Sequence, residues 1–281
     1  MITNQNTNFV YFSEKILDNQ YKDAYARIKA ILDKNSIESG LLKGTKDVWC
    51  RDYMPIQLSK DKFVQFRYDP SYLKNFTHLK TKPRVVHIAH NLDPIVSNIN
   101  LDGGNVVQWE DKVVISARVY KENPEYADKF ILRKELEKLF ESEVIIIPEI
   151  ESDLTGHADG MVRFLNGKAL IGNSRELEFE YWSARMNRVL ETHDLFYADI
   201  PFMLQYKDRM NPETAIGCYV NFLEVGNLIV LPIFEVPGNH DEEVLALFKI
   251  YYPKRIIETV NINEVANQGG LLNCITWTIL K

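Results

Sequence analysis

The chain has 281 residues, of which 46% are hydrophobic and 26% charged, and its formal net charge is −6. This is globular composition and excludes a disordered chain. A mildly acidic sequence without a Lys/Arg run is a poor nucleic-acid or anionic-membrane binder, and no stretch approaches the ~20 apolar residues that span a bilayer. The N-terminus has no basic segment followed by an apolar one, so nothing suggests secretion. Cys50, Cys218 and Cys274 are far apart and odd in number, which argues against a disulfide framework or a Cys-rich zinc site. A reducing cytoplasm is the expected setting.

In chain order, a strand pattern at 8–14 and a helical pattern at 21–34 come first. Residues 55–66 alternate about a polar turn and read as a β-hairpin, followed by a weakly marked helix near 71–80 and a strand at 83–89. A second hairpin at 105–116 turns at Glu110-Asp111 and leads to a helix over 129–140 and a strand over 143–150. A third, at 160–172, turns at Asn166-Gly167, the strongest two-residue hairpin signal; helix 179–191 and strand 195–202 follow. A fourth, at 219–232, turns at Gly226-Asn227 and precedes helix 241–252 and strand 254–260. A last run occupies 273–280.

The hairpins start near 55, 106, 161, 219 and 274, at spacings of 51, 55, 58 and 55. A near-constant period means an array of hairpin–helix–strand units that cannot bury a core singly and must share one. The segments at 8–14 and 21–34 resemble the missing tail of the fifth unit. That favours a closed pseudo-fivefold α/β ring over an open solenoid, and a single domain over 1–281.

Polar residues recur at one phase, the start of each hairpin: Trp49-Cys50-Arg51-Asp52, Asp102-Gly103-Gly104-Asn105, Gly156-His157-Ala158-Asp159, Asn221, and Gly269-Gly270 with Asn273-Cys274. Equivalent positions in a ring converge on its axis, so Asp52, Asp102, Asn105, His157, Asp159, Asn221 and Cys274 are candidates for one pocket. A thiolate attacks an electrophilic carbon, and a nearby His moves protons. Two carboxylates crowd together cheaply only around a cation, and a guanidinium offers paired N–H donors to both. Held between Asp52 and Asp159, a guanidinium carbon is open to attack by Cys274, with loss of ammonia and a covalent thiouronium. His157 protonates the ammonia and then activates water. This chemistry calls for no metal and no other cofactor. Trp49 reads as a pocket wall, while Asp102 and the double glycines are as consistent with local backbone roles. Cys50 and Cys218 read as small buried apolar groups, and His78, His193 and His240 as structural. His87-x-x-His90 lacks helical ligand spacing and a third ligand, and reads as surface.

Together the motifs Trp49-x-Arg51-Asp52, Asp102-Gly103-Gly104-Asn105, Gly156-His157-x-Asp159, Tyr219-x-Asn221-Phe222 and Gly269-Gly270-x-x-Asn273-Cys274-x-Thr276 resemble the agmatine deiminase and bacterial-type peptidylarginine deiminase family of the guanidino-group modifying superfamily. The resemblance implies a five-bladed α/β-propeller. It also implies Cys274 as nucleophile, His157 as acid/base, Asp52 and Asp159 as the guanidinium grip, and Asn221 in or beside the site. The chain departs from the agmatine pattern in two places. Asn273 stands where a His usually precedes the cysteine, and Arg67 lies in a stretch that tends to read Asn-Ala-Trp-Gly. Arg67 could meet a substrate carboxylate, or be an exposed strand-end charge. The expected partner is a small-molecule or peptide guanidino substrate, agmatine first, with arginine, peptidyl-arginine or an amidinotransferase reaction as alternatives. No nucleic-acid or membrane partner is expected, and a homo-oligomer is compatible with the sequence.

Overall fold

The computed structural model describes residues 1–203 and 214–281. Its strands form five three-stranded sheets on one plan. β1 (Phe9–Ser13) and β2 (Glu38–Leu42) run parallel, joined through α1 (Lys22–Lys34). A single helical turn, α2 (Cys50–Tyr53), leads into the second sheet: β3 (Ile56–Ser59), β4 (Lys62–Arg67), then α3 (Pro83–His90) and β5 (Ile95–Asn100). The third sheet has β6 (Val107–Gln108) and β7 (Lys112–Ser116), the short α4 (Arg118–Glu122), α5 (Lys129–Phe140) and β8 (Glu143–Ile147). The fourth has β9 (Val162–Asn166), β10 (Ala169–Asn173), α6 (Glu180–Thr192) and β11 (Phe196–Ile200). The fifth has β12 (Leu223–Val225), β13 (Leu228–Ile233), α7 (Asp241–Tyr251) and β14 (Ile256–Asn261).

In these last four sheets the first two strands are an antiparallel hairpin, and the third returns parallel to the second. The chain's last strand, β15 (Trp277–Ile279), completes the plan by pairing antiparallel with β1, Phe9 opposite Ile279 and Tyr11 opposite Trp277. The N-terminal segment is therefore the rest of the unit that β15 begins, and the molecule is a pseudo-fivefold α/β-propeller. In the sheets β9–β11 and β12–β14 the third strand is the most exposed and the hairpin strands are mostly buried.

Four of the five crossover helices repeat one solution, burying residues spaced by four: Ala24, Ile28 and Leu32 on α1; Leu132, Leu136 and Phe140 on α5; Trp182, Met186 and Leu190 on α6; Val244 and Phe248 on α7, whereas the shorter α3 buries the adjacent Val86 and His87. That spacing keeps one stripe against the sheet, and each large apolar side chain so buried contributes about 1.5–3 kcal/mol. Among the described residues no helix is long and apolar enough to cross a membrane.

Three expectations are corrected. Residues 83–89 are not a strand but lie in α3, because Pro83 occupies the first helical turn and Asn91 closes the helix in the left-handed region (φ 54). The β-branched residues there mimic a strand; the true third strand is β5. The region 71–80 forms only a 3₁₀ turn at Ser71–Leu73. His87 is not a surface residue: α3 buries it, and its Nε2 meets Gln65 Oε1 at 2.9 Å, while His90 accepts the Lys43 N–H at 3.1 Å.

Candidate active site

Each hairpin is preceded by a tight turn, and the five turns touch one another in a cycle. α2 carries Asp52, whose Oδ1 accepts the Gly104 N–H at 3.2 Å from the second turn. From that turn Asp102 Oδ2 meets His157 Nε2 of the third at 3.0 Å, and Asn105 Oδ1 accepts the Ala158 N–H at 3.2 Å. The third turn passes to the fourth through Asn221 Nδ2, which donates to the Asp159 carbonyl at 3.3 Å. Asn221 Oδ1 accepts the N–H groups of Asn273 (3.0 Å) and Cys274 (3.4 Å) in the fifth. The Arg51 N–H closes the cycle on the Cys274 carbonyl at 3.1 Å.

The double glycine of the second turn is required by close approach. A Cβ on Gly104 would lie 2.5 Å from His157 Nδ1 and 2.6 Å from Asp52 Oδ1, and one on Gly103 would lie 2.0 Å from the Arg51 carbonyl. Gly270 is pressed likewise against Trp49, whose indole carbon Cζ3 would stand 2.4 Å from a Cβ there.

His157 is buried between two carboxylates, with Nε2 on Asp102 and Nδ1 3.6 Å from Asp52 Oδ1. Burial alone would lower its pKa. The charge of Asp52 and the hydrogen bond and charge of Asp102 outweigh burial and raise it to about 10. Burial holds the Asp52 carboxyl well above the usual carboxylate range; the neighbouring His157 opposes that rise, and Asp102 and Asp159 reinforce it. The Cys274 thiol, half-buried, is 3.5 Å from Asn221 Oδ1 and 3.9 Å from Asp159 Oδ2. Burial first, then Asp159 and Asp52, push that thiol well above its ordinary pKa. Asp159 Oδ2 accepts from Asn273 Nδ2 at 2.6 Å, so Asn273 orients a carboxylate of the cluster.

Asp52, Asp102, Asn105, His157, Asp159, Asn221 and Cys274 are therefore brought together. Asn105 is used up internally, since its Oδ1 also accepts the Ser116 N–H at 2.9 Å. Trp49 is half-buried beside the cysteine turn. Arg67 does not join the cluster: it is exposed at the end of β4, and its guanidinium pairs with Glu125 at 3.3 Å. Of its two sequence readings, the strand-end charge is the one observed. Tyr72 is a site residue that sequence reasoning misses. Its hydroxyl donates to Asp102 Oδ2 at 2.8 Å, and its ring lies edge-on to the His157 ring at 6.1 Å. It sits where the sequence pattern suggests a helix, and no motif marks it. A cleft of about 250 Å³, open solvent included, reaches His157 past Tyr72, Thr155, Arg118 and Glu122.

The family model described as Porphyromonas-type peptidyl-arginine deiminase matches residues 8–279. The chain belongs to that family. Its fold is similar to that of the C. jejuni agmatine deiminase, with a TM-score of 0.78 at 15% identity over 100% of this chain and 95% of that one. The Enterococcus faecalis agmatine deiminase gives a TM-score of 0.76 at 15% identity, over 99% and 94% of the two chains. A curated relative from Photobacterium profundum, named "Putative agmatine deiminase", is 32% identical over 74 residues, 26% of this chain and 20% of that protein. Membership in the family makes the chain a guanidino-group hydrolase by class, and the turn cycle is where its family motifs meet.

Proposed function

We propose that the protein deiminates a guanidino compound through Cys274, with agmatine as first substrate, giving N-carbamoylputrescine and ammonia. The observation that carries this reading is the charge balance around the sulfur. Asp52, Asp102 and Asp159 are buried about one imidazolium, and the thiol beside them is held neutral by burial and by the charges of Asp159 and Asp52. A guanidinium bound between Asp52 and Asp159 supplies a positive charge. It compensates the carboxylates and lowers the cost of ionising the adjacent thiol, so thiolate forms where the electrophile is.

The sulfur then bonds to the guanidinium carbon. The tetrahedral adduct expels one nitrogen, which takes a proton from imidazolium His157 and leaves as ammonia. The remaining thiouronium is attacked by water, and His157, now neutral, accepts the water's proton. Collapse breaks the C–S bond, and the hydroxyl proton passes to the departing sulfur, releasing the neutral ureido product and restoring the Cys274 thiol. Asn221 pins the backbone of 273–274 during both halves, and Asn273 keeps Asp159 in place. No step calls on a metal or other cofactor. A Cys-to-Ser variant of the C. jejuni agmatine deiminase was solved with substrate bound, which accords with a cysteine acting after substrate binding. A reducing cytoplasm suits a free nucleophilic thiol.

The family's own description favours peptidyl-arginine as a second substrate. The test is a panel of agmatine, arginine, methylated arginines and a C-terminal-arginine peptide, scored for ammonia and ureido product, with an added amine to trap any transferred amidino group. Agmatine should release ammonia with no amidino transfer, and Cys274→Ala should lower the rate by about 10³-fold or more. Peptide turnover with inert agmatine reverses the substrate order. Ammonia release untouched by Cys274→Ala sinks the mechanism.

A further inference from the structure

A second cleft, about 410 Å³ with its open mouth included, lies on the strand side of the same turns. Its wall includes Arg51 of α2, Arg163 of β9, Glu224 of β12, Gln108 of β6 and Asn273. Arg51 and Arg163 are 8% and 4% exposed, and each keeps a buried Nη2 that no acceptor among the described residues meets. Arg51 donates through Nε to the Asn273 carbonyl at 3.3 Å, and Arg163 through Nη1 to the Phe222 carbonyl at 3.3 Å. The one carboxylate of this wall, Glu224, is spent mainly on Arg255, at 2.8 Å, and stands 4.0 Å from Arg163.

Glu224 is thus the one carboxylate among the described residues within 4.0 Å of the Arg163 and Arg255 guanidinium groups, Arg51 has no ion pair there, and burial makes that imbalance costly. The two unfilled groups sense each other: burial, and then the charge of Arg163, lower the pKa of Arg51, while Cys50, Asp159 and Cys274 oppose that fall. Guanidinium groups do not shed their protons to escape such a site, so compensation has to come from an anion. Gln108 and Asn273 share this wall, but their amide N–H groups already serve the Ile2 carbonyl and Asp159, so Arg51 and Arg163 are left to hold an anion.

We propose that this cleft binds a small monovalent anion, a halide or a compact carboxylate, between the guanidinium groups of Arg51 and Arg163. The cleft adjoins the guanidine site through Asn273 and Arg51, and its test needs no turnover. The melting temperature of the wild-type protein is measured against chloride and, separately, formate, with ionic strength held constant by the bulky anion isethionate. A saturable rise of roughly 2–5 °C is expected, and Arg163→Met should remove it. The chloride and formate arms tell which anion the cleft prefers. Wild-type crystals soaked in bromide should show an anomalous peak between Arg51 and Arg163, a reading that holds even if the variant fails to fold. No saturable rise with either anion, a rise that survives in Arg163→Met, or bromide absent from the cleft overturns the proposal.

Discussion

Arg51 and Asp52 are neighbours on one helical turn, yet they serve two oppositely charged regions. On the Asp52 side, three carboxylates surround one imidazole and a thiol. On the Arg51 side, guanidinium groups outnumber the carboxylate of Glu224. Both regions are buried, and neither is neutral within itself. The acid side stores its imbalance in groups that can hold or release protons, so it can do proton chemistry. The basic side has only guanidinium groups, which cannot, so it can only bind.

The sharpest way to break this comparison is to remove one acid. Asp159→Asn keeps an acceptor for Asn273 but loses the charge nearest the sulfur. We expect kcat/KM to fall by about 10²–10³-fold, with the melting temperature unchanged or raised because a crowded charge is gone. The thiolate absorbance at 240 nm should appear at lower pH, since Asp159 helps raise the thiol pKa. Unchanged activity would show that Asp159 is not part of the guanidinium grip.

A smaller effect tests the imidazole. His157 has its folded pKa raised to about 10, above the ~6.5 expected when unfolded. The stabilisation this provides is complete below about pH 6.5 and is lost as pH rises towards 10. Melting temperature in wild type should therefore fall between pH 7 and pH 10 more steeply than in His157→Gln. Parallel curves would mean that the two carboxylates do not hold the proton on His157.

The smallest expected effect comes from the residue the sequence hid. Tyr72→Phe removes one neutral donor to Asp102 and should cost about 3–10-fold in kcat/KM, equivalent to one hydrogen bond, with little change in melting temperature. A larger loss would make Tyr72 part of the proton path; no loss would leave it a packing residue.

Much of this molecule is legible because repetition amplifies weak signals. Asn166-Gly167 and Gly226-Asn227 fix hairpins locally, and α5 begins and ends as its apolar spacing predicts. Where two local preferences compete the reading fails. In 83–89, Val85, Val86 and Ile88 favour a strand, while Pro83 and Asn91 build a helix whose partners lie on other elements. Arg67 is similar: its residue type suits a carboxylate in a substrate, but the nearest one is Glu125 on its own surface.

The sequence by itself determined the repeating unit, its phase and the residue types at each turn, because period, turn chemistry and side-chain inventory are local properties. Only the tertiary structure decided which of those residues face one another, since that depends on β15 pairing with β1 to bring residues from the two ends of the chain into one sheet. It also decided the charges. His157 holds its proton and Cys274 its thiol hydrogen, and Arg51 donates to the Asn273 carbonyl and has no ion pair among the described residues, through burial and neighbours up to 222 positions away.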